Sequence, residues 1–512
     1  YGESCVERTI ENFTGINIDY YVTINFKGVV GLVDAIKGID IDVPFSFCEQ
    51  NSDRAWGENQ ICLDKGYQHL NGEQALAFAR HRKTLKTGDI QRGLDQQIVI
   101  EGNKTLTGTI KVSGAKNSAV ALIPAAILSN GIVTIENVPN ISDIDALNEI
   151  LEYLGAKVER NKDCIIINPK SIVNKEIPEN ISKKLRASYY FMAALLGKYK
   201  KVEMYFPGGC SIGARPIDQT LKAFEKLGAK VIKNENKYTI TAEYLKGAHI
   251  YLDMPSVGAT INTILASVKA RGETIIENAA KEPEIVSVAT FLNNMGARIT
   301  GAGTSEIKIS GVDYLAKGFT EVIPDRIEAG TYLILGALIG KDLKINNIIP
   351  KHIEALTDKL KEIGFDLKIG FDYITISTKD NLKPVSIKTL GYPGFPTDLQ
   401  QPFTTLLTKC KGISYIEETI YENRFKNVEY LNKMGANIEI ITDHKIKIQG
   451  PTNLTCSNVY ATDLRGGASV LLAALSSKGV SNIYDVEHLL RGYENIVEKL
   501  SNVGAKIKIE EI

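Results

Sequence analysis

A thiol set among glycines is the first residue to consider. In "PGGCSIGARPID" (207–218), Cys210 follows two glycines and Arg215 stands five residues further on. Glycine gives a loop unusual backbone freedom, and a nearby guanidinium favours the reactive thiolate. Further cations stand where turns are expected to run into helices: Lys116 in "SGAKN", Arg186 in "LRAS", Arg465 in "DLRGGAS" and Arg491 in "RGYEN". Carboxylates occupy similar places: Asp325 and Glu328 in "PDRIEAGT", Asp398 in "FPTDLQQ" and Asp463 in "ATDLRGGAS". Taken singly, each reads more readily as a cap, a salt bridge or a solvated charge. As a set they carry more. Helix N-termini and cationic side chains together make anion sites, and several such sites in one chain point to a substrate with several negative groups.

The elements that must position these residues repeat. "LNEILEYLGAKVER", "LKAFEKLGAKVIKN", "ATFLNNMGARITGA", "TDKLKEIGFDLKIG", "VEYLNKMGANIEII" and "IVEKLSNVGAKIKI" each read as helix, glycine, strand. In the first, Leu147, Ile150, Leu151 and Leu154 form one apolar stripe, and Gly155 suits a left-handed C-terminal cap. The glycines fall at 155, 228, 296, 364, 435 and 504. One helix–Gly–strand unit is common in any α/β protein; six at even spacing are not. The spacing predicts two domains of three α/β units each.

Bulk properties narrow the function classes. The chain has 512 residues, with 60 Lys plus Arg against 60 Asp plus Glu. Zero net charge gives no overall pull toward nucleic acid or acidic membranes. No apolar run reaches a membrane span, and nothing resembles a signal peptide. The first residue is Tyr1 and the first methionine is Met192, so the chain is expected to be truncated at its N-terminus. Seven cysteines stand at 5, 48, 62, 164, 210, 410 and 456. They form no C-x-x-C or Cys/His cluster, so no metal site is expected. Cys48 and Cys62 flank a polar loop whose length permits a disulfide but also arises by chance. The other five read as reduced thiols.

The motifs, in this order and spacing, give residues 98–512 a resemblance to the enolpyruvyl transferases that act on UDP-N-acetylglucosamine, at the entry to peptidoglycan precursor synthesis. They are "SGAKN", "LRAS", "PGGCSIGARPID", "SVGAT", "PDRIEAGT", "FPTDLQQ", "DLRGGAS" and "RGYENI". The resemblance implies an inside-out α/β barrel fold in two domains, 98–115 with 324–512 and 116–323. It implies that Lys116, Arg215 and Arg491 hold phosphoenolpyruvate and that Asn117 and Arg186 lie at the UDP-sugar. Arg215, Pro216, Ile217, Asp218 and Gln219, with Met254, Pro255, Ser256 and Val257, would cradle uridine and diphosphate. Ile420 would make a backbone contact to the sugar nucleotide, and Asp463 and Arg465 would support the phosphoenolpyruvate site. Tyr190 stands where some relatives carry tryptophan. Asp398 would remove the proton of the sugar 3-hydroxyl while Cys210 protonates the enol methylene. Such a reaction needs no cofactor, and the substrates imply a cytoplasmic setting. Transfer to shikimate 3-phosphate is the nearest alternative.

Residues 1–97 do not share the repeat. "INIDYYVTINFKGVVGLVDAIKGIDIDVP", "KGYQHLNGEQALAFARHRK" and "GDIQRGLDQQ" resemble the C-terminal half of a LytR–CpsA–Psr domain. That resemblance implies a partial α/β fragment in which Arg80, Arg82 and Arg92 would grip a polyprenyl pyrophosphate. Asp95 departs from the pattern, because an arginine is usual there and a carboxylate repels pyrophosphate. Envelope glycan attachment through this segment is the alternative of a different class, and it implies the opposite compartment.

Overall fold

The computed structural model describes residues 26–43, 46–49, 61–80, 96–208 and 217–511. The chain divides into two bodies, Tyr1–Arg92 and Gly93–Ile512.

In the first body the helix Phe26–Ala35 leads into the strand Ile39–Val43, which pairs antiparallel with Gly66–Leu70. The segment 16–25 before that helix lies outside the described residues. A short hairpin, Phe47–Glu49 with Ile61–Leu63, carries a Cys48–Cys62 disulfide. The helix Gly72–Arg80 starts from a reciprocal cap. Asn71 Oδ1 accepts from Gln74 N at 2.9 Å, and Gln74 Oε1 accepts from Asn71 N at 3.0 Å. Val33, Val43, Leu63, Leu70 and Ala75 form its small buried core.

The second body is the six-unit repeat. Each of its six sheets is built on one plan: a central strand with a parallel neighbour on one side and two antiparallel strands on the other. In the first unit Val133–Glu136 pairs parallel with Gly318–Glu321 and antiparallel with Cys164–Asn168, which pairs with Lys157–Asn161. The second unit keeps only a trace of its parallel edge, a bridge from Ile177 to Met204 beside the strand Lys201–Tyr205. The sixth sheet is closed by the start of the body: Gln96–Glu101 lies between Val480–Tyr484 and Lys506–Glu511.

The six glycines explain why the outer helices stop alike. All have positive φ, from 92° at Gly228 to 121° at Gly364, a region that only glycine enters cheaply. In each copy the glycine N–H and the next residue's N–H bond back onto the last helical turn. Gly155 N donates to Glu152 O and Ala156 N to Leu151 O, and Gly504 N donates to Ser501 O and Ala505 N to Leu500 O. The expected stripe of Leu147, Ile150, Leu151 and Leu154 is buried.

The inner helices are apolar nearly all round, as a helix enclosed by other elements must be. Lys116–Ala125, Tyr190–Tyr199 and Val257–Ser267 belong to one core; Arg326–Ile339, Thr397–Leu407 and Leu464–Ser476 belong to a second. The first core draws on residues 115–322 and the second on 98–112 and 327–507. The chain crosses between them at 113–114 and again at 323–326. The connection from each central strand to its next helix is short in four units (137–141, 278–282, 347–349 and 485–486). It is long in two, 206–217 and 418–426.

Candidate functional site

Two groups of charge stand out, each with one carboxylate between two cations. Lys116 is the first residue of the helix Lys116–Ala125. Its Nζ lies 2.6 Å from Asp143 Oδ2 and donates to the carbonyl of Arg491 at 3.2 Å. Arg491 Nε meets the other oxygen of Asp143 at 2.9 Å. Asp143 is 3% exposed, whereas Lys116 and Arg491 are 15% and 32% exposed. Arg491 does not open a helix, as its place in the sequence suggested; it follows the short helix Glu487–Leu490 and is brought in by its side chain.

The crossings between the cores fix where Lys116 starts. Asp325 caps its own helix, its Oδ1 accepting from Ile327 N and Glu328 N at 2.8 and 3.0 Å. Its Oδ2 accepts from Lys116 N at 3.3 Å, so one side chain holds the first turns of two inner helices. Arg326 Nε pairs with buried Glu284 at 3.1 Å, another link between the cores.

The second group surrounds Asp398. Pro396 holds the cap position and Asp398 lies in the first turn of the helix Thr397–Leu407. Arg424 Nη2 reaches Asp398 Oδ1 at 2.5 Å, and Arg465 reaches Oδ2 through Nε at 3.3 Å and Nη2 at 3.2 Å. The guanidiniums are 2% and 3% exposed and the carboxylate 27%. Asp463 caps the helix Leu464–Ser476, accepting from Arg465 N and Gly466 N. Gln401 links the group, donating to Asp463 and accepting from Arg424. Burial alone pulls the Arg465 pKa down, but the nearby Tyr493 and Asp398 more than offset this and leave it above its usual value. Buried Glu418 fastens the Arg424 loop to the start of the Asp398 helix. Its carboxylate accepts from Thr397 Oγ1 at 2.8 Å and from the backbone of Ile420 and Tyr421.

A third region lies in the first core. Gln219 Oε1 accepts from Met254 N at 3.4 Å, so two separate segments of the expected nucleotide cradle meet. Ile217 is buried at the cap of the helix Asp218–Lys226, and Asp218 is exposed. Met254 and Pro255 are exposed; Ser256 caps the helix Val257–Ser267 through Ala259 N, with Val257 half-buried beside it. A side chain at Gly258 would collide with the Tyr189 hydroxyl, which accounts for the glycine of "SVGAT". Tyr189 and Tyr190 stack with centroids 4.6 Å apart, and Arg186 lies 5.9 Å from the Tyr189 ring. Burial, reinforced by Tyr189, pushes the Tyr190 hydroxyl pKa well above its usual value. Asn117 is exposed beside Lys116, and Ile420 is 42% exposed.

Cys210, Arg215 and Pro216 lie outside the described residues, as do Arg82, Arg92 and Asp95 of the N-terminal segment; Arg80 ends its helix. Asp143 and Arg424 are the members of these groups that motif reading missed. Among the described residues no group of His, Cys, Asp and Glu is arranged to hold a metal, and no helix is long and apolar enough to cross a membrane.

The family model described as EPSP synthase (3-phosphoshikimate 1-carboxyvinyltransferase) matches residues 100–500, and the LytR_cpsA_psr family model matches residues 1–107. The chain is 51% identical over 418 residues to UDP-N-acetylglucosamine 1-carboxyvinyltransferase 2 of Bacillus cereus, covering 81% of this chain and 97% of that one. A protein of the same name from Listeria monocytogenes is 51% identical over 414 residues, 81% of this chain and 98% of its own. Among solved structures, the enolpyruvyl transferase NikO from Streptomyces tendae superposes with a TM-score of 0.75 at 25% identity, over 81% of this chain and 99% of that one. EPSP synthase from Acinetobacter baumannii shares the fold at 19% identity, with a TM-score of 0.64 over 81% of this chain and 100% of its own.

Proposed function

The chain belongs to the EPSP synthase family of carboxyvinyltransferases, and from that premise we propose that Lys116 and Arg491 grip phosphoenolpyruvate while Asp398 serves as the base. The reaction moves the enolpyruvyl group of phosphoenolpyruvate to the 3-hydroxyl of UDP-N-acetylglucosamine and releases phosphate. The identity of 51% over four-fifths of the chain carries this assignment of the acceptor. The catalytic body is the two-domain enolpyruvyl transferase barrel, and its two separate cores support domains of 98–115 with 324–512 and 116–323.

Asp398 presents a partly exposed carboxylate backed by two buried guanidiniums. The two guanidiniums fix the direction of the Asp398 carboxylate. It takes the hydroxyl proton as the sugar oxygen bonds to C2 of phosphoenolpyruvate, and Cys210 gives a proton to the methylene carbon. In the resulting tetrahedral adduct the methyl group returns a proton, the C–O bond to phosphate breaks, and Lys116, Arg215 and Arg491 stabilise the charge on the leaving group. The Gln219–Met254 contact supports a nucleotide cradle built from Arg215–Gln219 and Met254–Val257, with Asn117 and Arg186 toward the sugar. Because the Ile420 N–H already bonds Glu418, a backbone contact from Ile420 uses its carbonyl. Both substrates are cytoplasmic metabolites, which supports a cytoplasmic site of action.

Phosphate release from phosphoenolpyruvate, measured with each acceptor in turn, tests the assignment. UDP-N-acetylglucosamine is expected to support turnover and shikimate 3-phosphate is not; the reverse result overturns it. Cys210→Asp is expected to turn over and Cys210→Ala is not, because a carboxylic acid can replace the thiol as proton donor.

A further inference from the structure

Asp143 is a buried acid that takes no proton in the transfer chemistry. It and Asp145 share the first turn of the helix Ser142–Leu154. Asp145 behaves as a surface residue: it is 64% exposed and pairs with Arg160. Asp143 is 3% exposed, with Lys116 on one oxygen and Arg491 on the other. Lys116 belongs to the first core's helices and Arg491 follows a helix of the second. The acid therefore joins the two cations across the divide between the cores. Its contact with Lys116 is an ion pair and not a well-directed hydrogen bond, since Oδ2 is buried without hydrogen-bond geometry. Of the three charges, it is the cations that reach the surface.

We propose that Asp143 is a positioning residue for the phosphoenolpyruvate grip. It sets the separation and direction of the Lys116 and Arg491 head groups and offsets their mutual repulsion, so that they are already aimed where phosphate charge grows in the transition state. The proposal rests on the assignment of Lys116 and Arg491 to phosphoenolpyruvate made above. It predicts an unusual split. Removing the acid makes the site more positive, so ground-state attraction for an anion rises. The cations lose their alignment, so transition-state stabilisation falls.

The test uses the full chain and steady-state phosphate release. Asp143→Asn is expected to lower kcat at least about tenfold, in line with the cost of a small misplacement. Its KM for phosphoenolpyruvate should stay within about threefold of wild type or fall, and inorganic phosphate should inhibit it more tightly. Asp143→Glu keeps the charge and moves it by one methylene. It should lower kcat as well, while its phosphate inhibition stays near that of wild type. A lower melting temperature with wild-type kcat per folded molecule overturns the proposal. So does a higher KM with unchanged kcat. If Asp143→Asn does not fold, Asp143→Glu decides: kcat within about twofold of wild type overturns the role. Lys116→Ala separates the two levels. If it changes neither KM for phosphoenolpyruvate nor kcat, the grip itself fails and the proposal falls with it. If it raises KM while both Asp143 variants behave as wild type, only the positioning role fails.

Discussion

Asp143 and Asp398 each hold two cations, yet the two groups are turned opposite ways. At Asp143 the acid is buried and the cations reach outward; at Asp398 both guanidiniums are buried and the acid reaches outward. The same three charges thus present two different faces. Outward cations suit the proposed grip on an anion, whereas buried cations behind an outward carboxylate give that carboxylate a fixed direction. Which member is desolvated decides which charge the group presents.

The largest effect should come from breaking the Asp398 group at its centre. Asp398→Asn should lower kcat by about 10³, within the range for a lost general base, while UDP-N-acetylglucosamine still binds by calorimetry. A kcat within about threefold of wild type would remove the base assignment. The same variant leaves two guanidiniums buried without their counter-ion, so its stability to denaturant should also drop, by about 3 kcal/mol. Next in size, Lys116→Ala should raise KM for phosphoenolpyruvate at least about tenfold and leave UDP-N-acetylglucosamine affinity unchanged. Equal losses for both substrates would show that the group is not an anion grip. Arg424→Met should be milder in stability than Asp398→Asn, about 1 kcal/mol or less, because Asp398 keeps Arg465 and the replacement fills the space. Denaturation curves of the two variants side by side test that order. Ionic strength should distinguish the groups more gently. Partly exposed Lys116 and Arg491 are screened by salt and the buried arginines are not, so salt should raise KM for phosphoenolpyruvate severalfold and hardly alter kcat. Removal of residues 1–92 should change neither parameter, since both groups and all six sheets belong to the second body. Loss of soluble, active enzyme would show otherwise.

Much of the fold could be read from the chain because its main signal is local. A glycine at the end of an apolar stripe has few roles, and all six adopted the left-handed cap that the sequence implied. The groups of charge were only half legible. Lys116, Arg465, Arg491 and Asp398 stand in recognisable motifs. Asp143 looks like an ordinary first-turn acid, as Asp145 two residues later is. Its meaning comes from Arg491, 348 positions away, and no periodicity reports such a pairing. Arg424 sits in "YENRFKN", a stretch that reads as solvated polar loop. Its burial follows from Glu418 drawing that loop onto the Asp398 helix. Arg491 was expected at a helix start because a glycine and a helical stripe follow it; the short helix before it was missed.

The unequal strand-to-helix connections bear on where such a protein can be altered by design. Four of the six copies join strand to helix by short turns. The two long connections, 206–217 and 418–426, carry Cys210 and Arg215 in one and Ile420 and Arg424 in the other. A laboratory search for altered acceptor preference can therefore begin with those two stretches, which lie outside the helices and strands of the repeat.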